Sequence, residues 1–325
     1  MPRGVSEAVA HDEAAAYSAA MRFQHILGAA LIATLAFPAF ATDLYVSQVR
    51  GCGLIIFCSP SLRFTRIDLE RNEVTLLPET LPGYTSVAGF DAARPRVFVS
   101  TPTSDIFCCR AMWLDLTANP PVPPYGLYPF AGFSSYVFDS GRLFAIRGAD
   151  LVELDVVTGA ATPVMPINLL AEPLAIDLAH QRLYLSVRPD NSQARDLRVV
   201  DLARKTISGP LMSIRQLPAV VVDRDGTAYV FDGLWQLGLT QVFRLDAATN
   251  ELTPFASDVL IGTQHLVLDP VDRRVYGNYD RDVVAFDLVT RTTRVIEPPL
   301  PPGTFEWGPV AGVVHKSPGR TRAIR

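Results

Sequence analysis

Lysine is almost missing from this chain of 325 residues, in which Lys205 and Lys316 are the only two. Chemistry that runs through a lysine Schiff base therefore has almost no candidate residue. Charged residues make up only 19% of the chain, the formal net charge is −4, and no segment carries a stripe of basic side chains. We therefore expect no nucleic-acid partner, because phosphate recognition needs clustered Lys and Arg.

Signatures of catalysis and metal binding are also missing. Of the five histidines, only His180, His265 and His315 follow residue 41. No G-x-S-x-G, H-E-x-x-H, P-loop or C-x-x-C pattern occurs, which disfavours a serine hydrolase, a zinc protease, a P-loop nucleotidase and a zinc ribbon. The sequence therefore favours a protein that is not an enzyme.

What the chain does have is a short repeat with a fixed period. A tripeptide with Asp at its centre and, usually, an aliphatic residue on each side recurs six times, at Asp68, Asp115, Asp155, Asp201, Asp246 and Asp287. The steps between these aspartates are 47, 40, 46, 45 and 41 residues. A period of this length is typical of a β-propeller, in which each repeat is one four-stranded blade. We therefore predict an all-β fold, a six-bladed β-propeller.

The two ends of the repeat indicate how the ring closes. Each unit reads as four strands, A to D from the axis outward, but the first unit starts at strand B with Leu44-Tyr45-Val46-Ser47. The last segment, Val310 to Val314, repeats the Val-Ala-Gly of strand A at Val87 and has no strands after it. We predict that this C-terminal strand pairs into the first blade, which removes an open sheet edge.

The N-terminus reads as a targeting segment. A basic stretch follows Met21, an apolar run covers residues 26–37, and Ala39-Phe40-Ala41 forms a cleavage motif before Thr42. The apolar run is too short to span a bilayer comfortably. An uncleaved membrane anchor is the alternative.

These observations divide the chain into three parts. Residues 1–41 are interpreted as a mis-annotated extension plus a signal peptide, residues 42–315 as a single propeller domain, and residues 316–325 as a flexible tail. We expect a mature chain without a membrane span and a periplasmic or secreted location.

Cysteine usage fits export. The four cysteines, Cys52, Cys58, Cys108 and Cys109, are predicted to form disulfide bonds in an oxidising compartment. We place the first two in the B–C loop of the first blade and the other two in the B–C loop of the second. At least one bond is expected between the two loops, because adjacent cysteines paired with each other make a strained ring. Four reduced thiols are the alternative.

Two families of propellers resemble this chain. The strands Leu44-Tyr45-Val46-Ser47 and Leu183-Tyr184-Leu185-Ser186, each followed by an Asp tripeptide, and the Thr-Gly and Thr-Asn turns resemble YVTN-type repeats. Such repeats occur in bacterial surface-layer propellers and in the β-chain of quinoprotein amine dehydrogenases. The resemblance, over about residues 43–315, implies a propeller outside the cytoplasm and no particular activity.

The chain is also similar to gluconolactonase-like propellers, which hold a divalent metal at the channel mouth, but their Glu, Asn and Asp ligand pattern does not map onto it.

The repeated aspartates are interpreted as turn residues. Each carboxylate in the six tripeptides precedes a turn, where it can accept hydrogen bonds from backbone N–H groups. A catalytic carboxylate would not be needed six times. The same interpretation applies to the aspartates that end the A strands, namely Asp91, Asp139, Asp177, Asp223 and Asp269.

The mouth of the central channel is where polar side chains are predicted to converge. A strands start on the same face of the ring as the B–C loops, and we call it the loop face; the opposite face, with the A–B and C–D turns, is the turn face. The predicted ligand-binding residues there are Glu172, Gln264, His265 and Glu306, with Trp235 and Trp307 at the rim. Ordinary rim residues are the alternative, as is a channel plugged by the tryptophans.

Carboxylates and an imidazole in that set suit a divalent cation, with Glu172, His265 and Glu306 as its ligands. We expect an exported, monomeric binding or interaction module for a protein or a small polar ligand, without a cofactor. The alternative is a metal-assisted, lactonase-like hydrolase that holds a divalent cation at the channel mouth.

Overall fold

Strands account for all the regular structure in the part of the chain that is described here. The structure is a computed structural model, and it describes residues 42–50, 61–77, 81–82, 86–102, 108–117, 128–131, 133–155, 158–189, 195–214, 218–233, 239–263, 265–279, 282–296 and 305–315. Those residues contain no helix of the length and hydropathy that crossing a bilayer requires.

Within the described ranges, twenty-six strands form six antiparallel sheets. The strands are β1 (Thr42–Arg50), β2 (Ser61–Asp68), β3 (Glu73–Leu76), β4 (Leu81–Pro82), β5 (Ser86–Asp91), β6 (Arg96–Pro102), β7 (Cys108–Asp115), β8 (Tyr128–Ala131), β9 (Phe133–Asp139), β10 (Arg142–Arg147), β11 (Asp150–Leu154), β12 (Ala161–Pro166), β13 (Leu170–Asp177), β14 (Arg182–Arg188), β15 (Arg195–Asp201), β16 (Thr206–Ile207), β17 (Met212–Ile214), β18 (Ala219–Val222), β19 (Ala228–Gly233), β20 (Leu239–Leu245), β21 (Leu252–Leu260), β22 (Val267–Asp269), β23 (Arg274–Tyr279), β24 (Asp282–Asp287), β25 (Thr293–Ile296) and β26 (Phe305–His315).

The sheets confirm the predicted six-bladed propeller. From strand A to strand D, blades 1 to 6 are β26-β1-β2-β3, β5-β6-β7-β8, β9-β10-β11-β12, β13-β14-β15-β16, β18-β19-β20-β21 and β22-β23-β24-β25. In blades 1 and 4 a second outer segment is present, because β4 also pairs with β2 and β17 with β15. Each blade is therefore the sequence unit that the Asp period marks.

Closure of the ring also follows the prediction. The C-terminal β26 pairs antiparallel with β1 over its whole length, and Gly312 lies opposite Tyr45. The described inner strand of blade 1 thus comes from the far end of the chain, and its N–H and C=O groups satisfy an edge of β1 that would otherwise be open.

The core lies between the blades. In β14, Leu183, Leu185 and Val187 pack into the cluster between blades 3 and 4, whereas Tyr184 packs into the cluster between blades 4 and 5. Successive side chains of a strand point to opposite faces of its sheet, so both faces of the blade are buried. Each of the six described core clusters occupies one boundary between neighbouring blades.

The repeated aspartates cap turns, as predicted. Asp68 Oδ1 accepts hydrogen bonds from the backbone N–H groups of Glu70 and Arg71, at 3.1 and 3.0 Å. The equivalent bonds are present at Asp115, Asp155, Asp201, Asp246 and Asp287. Two A-strand aspartates act between blades. Asp139 Oδ2 accepts from the backbone N–H of Leu178 at 2.9 Å, and Asp223 Oδ2 accepts from Arg273 Nε at 3.0 Å.

Inner strands contain an irregularity that the sequence analysis missed. One extra residue interrupts the pairing of β5, β13 and β26, at Ala88, Leu174 and Ala311. Such β-bulges bend a strand and increase its local twist. In β5 and β26 the extra residue is the Ala of a Val-Ala-Gly triplet, so this triplet marks the bulge in those two strands. The inner strand β9 is also interrupted, between Phe133 and Tyr136.

The predicted position of one cysteine pair is wrong. Cys108 and Cys109 begin strand β7 instead of lying in the loop before it, because pairing with β6 reaches Cys109 and pairing with β8 reaches Cys108. Cys52 and Cys58 lie outside the described residues. The expected disulfide between the first two blades therefore stays a prediction.

Candidate functional site

The predicted ligand residues are only partly described. Glu172 and His265 have described side chains, at the loop face of blades 4 and 6. Glu306 and Trp307 lie in β26, opposite Val49 and Gln48, and only their backbone is described. The remaining two, Gln264 and Trp235, lie outside the described residues.

Glu172 is held by a buried arginine of its own blade. Arg195 donates from Nη1 to Glu172 Oε2 at 2.5 Å and from Nη2 to Oε1 at 3.2 Å, and Nη1 also reaches the Ser186 hydroxyl at 3.2 Å. The three residues come from β13, β14 and β15. A bidentate pair of this kind is among the stronger charge-assisted contacts in proteins. It ties three strands together and occupies both oxygens of Glu172.

His265 of blade 6 bonds the C-terminal strand that closes the ring. Its Nδ1 lies 2.8 Å from the carbonyl oxygen of Val310 in β26, so the ring donates a hydrogen bond from blade 6 to blade 1. Val310 directly precedes the bulged Ala311, where the ladder with β1 is interrupted. Burial lowers the pKa of the His265 imidazole, while the bond to Val310 opposes that shift. A neutral ring with its proton on Nδ1 fits this contact.

This pKa shift predicts a loss of stability on mild acidification. Because the folded-state pKa of His265 is lowered, the unfolded chain takes up protons first as pH falls below about 6.5. Stability should then fall by up to about 1.4 kcal/mol per pH unit until the folded ring also titrates. Urea unfolding at pH 7.5, 6.5 and 5.5 measures the effect.

A matched variant isolates the histidine. His265→Asn keeps a donor close to the position of Nδ1 but does not titrate, so its stability should change less between pH 7.5 and 5.5 than that of the parent chain. The carboxylates whose pKa is lowered by backbone N–H groups, such as Asp246, titrate at lower pH. Equal pH dependence in the two proteins would contradict this account.

The described residues do not assemble a metal site. No group of three or more His, Cys, Asp and Glu side chains among them is arranged to hold a cation. Because Glu306 belongs to the predicted ligand set and its side chain is not described, the cation site at the channel mouth stays a prediction.

A cavity of about 300 Å³ lies on the turn face, between blades 4 and 5. Blade 4 contributes most of its walls, from the ends of β14, β15 and β16 and from the turns that join them. Blade 5 contributes its C–D turn. The lining residues are His180, Arg182, Val199, Asp201, Arg204, Thr206, Ile207, Ser208, Ala248 and Asn250.

None of these residues is among the ligand contacts predicted from the sequence, although the sequence contains a signal. Four of the six B strands start with arginine, at Arg96, Arg142, Arg182 and Arg274. This series keeps the period of the Asp tripeptides. Charged side chains that recur at one strand position predict a row of ion pairs on the turn face, and a departure from that row can be found by comparing the blades.

Comparison with known proteins gives the fold and no more. No protein-family model matches the chain, and no curated protein matches it. Solved propellers share its fold. One similar chain, from the crystal structure of a nidogen/laminin complex, has 12% sequence identity and a TM-score of 0.54, over 84% of this chain and 97% of that one. TolB from Acinetobacter baumannii has 9% identity and a TM-score of 0.51, over 86% of this chain and 67% of that one.

At such identities the likeness establishes a β-propeller and leaves its function open. The resemblance to YVTN-type repeats agrees with that fold, and membership of this family stays a prediction. Function must be argued from the residues of the two faces.

Proposed function

We propose that this chain is an exported propeller that binds a protein partner on its loop face. The observation that carries the proposal is that the two described polar side chains there already have hydrogen-bond partners within the protein. Glu172 and His265 are each bonded to a group of the protein itself, Arg195 in one case and the Val310 carbonyl in the other. These bonds favour a role in holding the surface in shape over a role in coordinating a cation.

Apolar side chains on the same face support a protein partner. Leu170 and Leu239 are the first residues of β13 and β20, in neighbouring blades, and they are 64% and 50% exposed. Exposed apolar side chains surrounded by polar ones are typical of a protein contact surface. Gln264, Glu306, Trp235 and Trp307 are assigned to the same proposed surface.

Paired variants test whether a protein partner binds the loop face. A partner is first captured with the tagged wild-type chain from cells of its own organism, identified by mass spectrometry and purified. Leu170→Glu and Leu239→Glu should then weaken its binding about tenfold each, since a buried charge is costly at an interface. Val289→Glu is the control, because Val289 is 67% exposed and lies on the turn face. Equal loss in all three variants, or in none, contradicts the proposal.

The hydrolase alternative is tested by metal content. Inductively coupled plasma analysis of the purified chain should find less than one divalent cation per molecule if the loop face is a protein-binding surface. A stoichiometric cation that is lost in both Glu172→Gln and His265→Asn would instead support the metal-assisted enzyme.

Export predicts a defined N-terminus. The chain recovered outside the cytoplasm should begin at Thr42, because Ala39-Phe40-Ala41 fits the small-x-small preference of signal peptidase. N-terminal sequencing checks this. Recovery of residues 22–40 in the exported protein would show an uncleaved anchor.

A further inference from the structure

We propose that the cavity between blades 4 and 5 binds a small ligand through a carboxylate group, with Arg182 as its anchor. The site lies on the turn face and is independent of the proposed docking surface on the loop face. The inference rests on one blade that departs from the pattern of the others.

Arginines that start B strands are paired with a carboxylate in the other blades that have one. Arg96 bonds Asp91 at 2.6 Å, Arg142 bonds Glu153 at 2.6 Å, and Arg274 lies 3.3 Å from Asp272 and 3.6 Å from Asp287. Each carboxylate comes from the same blade as its arginine.

In blade 4 the arginine has the same position in the strand register as Arg274 has in blade 6, but it forms different contacts. Arg182 lies opposite Asp177 on one side and Asp201 on the other, as Arg274 lies opposite Asp269 and Asp287 in blade 6. Asp177 and Asp201, however, both form hydrogen bonds with residues other than Arg182.

Asp177 Oδ2 contacts His180 Nδ1 at 2.7 Å, and Asp201 accepts from the Arg204 backbone N–H at 2.8 Å and from its Nη1 at 3.2 Å. The Arg204 backbone N–H is also the main reason that the pKa of Asp201 lies below its usual range, so this carboxylate is ionised and occupied.

Arg182 is left facing the cavity with a neutral partner. Its Nη1 donates to Asn250 Oδ1 of blade 5 at 3.2 Å. In the described part of the chain, no carboxylate oxygen lies within 4.0 Å of its guanidinium nitrogens, as the ion pairs found there show. A half-buried guanidinium favours an anionic partner, and its planar fork matches a carboxylate in two parallel hydrogen bonds.

The cavity provides what such a ligand needs. Its volume, about 300 Å³, lies at the lower end of the range for small-molecule sites. A second guanidinium, that of Arg204, lies at the wall with 83% of its side chain exposed, and Thr206 also lines the cavity. A ligand carboxylate would give Arg182 the kind of partner that Arg96, Arg142 and Arg274 find within their own blades. The carboxylate could belong to a free small acid or to the C-terminus of a peptide.

Isothermal titration with matched probes tests the site and separates the two sources. Lactate is compared with lactamide, and acetyl-Ala-Ala with its C-terminal amide, at constant ionic strength. We expect saturable binding of at least one acid and none of its amide. Binding of lactate alone indicates a free small acid, and binding of the peptide acid indicates a chain terminus. No saturable binding of either acid, or equal binding of acid and amide, overturns the proposal.

Two variants assign the binding to Arg182. Arg182→Gln should weaken acid binding about tenfold or more, since a charge-assisted bidentate contact is lost. Asn250→Asp should abolish it without loss of fold, because this isosteric change gives Arg182 a protein carboxylate, as in the other three blades. Arg142→Gln is the matched control, at the same strand position in blade 3, and should leave affinity unchanged. Affinity that survives both Arg182→Gln and Asn250→Asp contradicts the assignment.

Discussion

Deletion of residues 305–325 should leave the chain without a cooperative unfolding transition. Strand β26 supplies the fully buried Val310 and Ala311, together with Val313, to the clusters on both sides of blade 1. Burial of each valine is worth about 1.5–3 kcal/mol, and the backbone hydrogen bonds to β1 would be lost as well. The sum approaches the total stability of a domain, about 5–15 kcal/mol.

Circular dichroism during urea unfolding measures this loss. Deletion of residues 316–325 alone is the control and should leave the unfolding midpoint unchanged, because that deletion keeps the whole of β26. A chain that ends at residue 304 and unfolds at the midpoint of the full protein would show that the ring does not depend on its C-terminal strand.

The architecture was readable from the sequence because it depends on repetition. Six Asp tripeptides at a fixed period gave the number of blades, and the unmatched strand at Val310 gave the closure. The local role of the aspartates could also be predicted, since a carboxylate next to a turn finds its partners within about three residues. Features of this kind need no knowledge of distant contacts.

The candidate sites were not readable in the same way. Strand position placed Glu172 and His265 at the loop face, but it did not tell which groups they bond. Arg195 is 23 residues from Glu172 and Val310 is 45 residues from His265. Such partners are set by how blades and strands meet. For the same reason the sequence could not single out Arg182. Its lack of a carboxylate partner among the described residues is evident only from the structure, in which Asp177 and Asp201 bond other groups.

The Val-Ala-Gly triplet carries more information than the closure that it first indicated. It places Ala at the bulge and Gly at the next position of the inner strand. A Cβ built on Gly89 would lie 2.5 Å from Phe138 Cβ of blade 3, and one on Gly312 would overlap the ring of Phe90 in blade 2. Glycine is thus required at both positions because the inner strand of the next blade approaches so closely.

Gly89→Ala and Gly312→Ala should each destabilise the fold by about 3 kcal/mol, the upper end of the usual cost of overpacking. Gly209→Ala is the matched control, since a Cβ there meets no atom within 4 Å, and its effect should stay below about 0.5 kcal/mol. Urea unfolding of the three variants measures the differences. A loss as small in Gly89→Ala as in Gly209→Ala would mean that the neighbouring inner strands do not approach each other so closely.

The two glycines should respond differently to a second substitution. At Gly312 the obstacle is the ring of Phe90, so Phe90→Ala should remove the clash, and the double variant should lose less stability than the sum of the single changes. At Gly89 the nearest atom is Phe138 Cβ, which Phe138→Ala retains, so this second change should give no relief and should add the loss of the contact between Phe138 and Trp113. Relief at both positions, or at neither, would contradict the proposed packing of the inner strands.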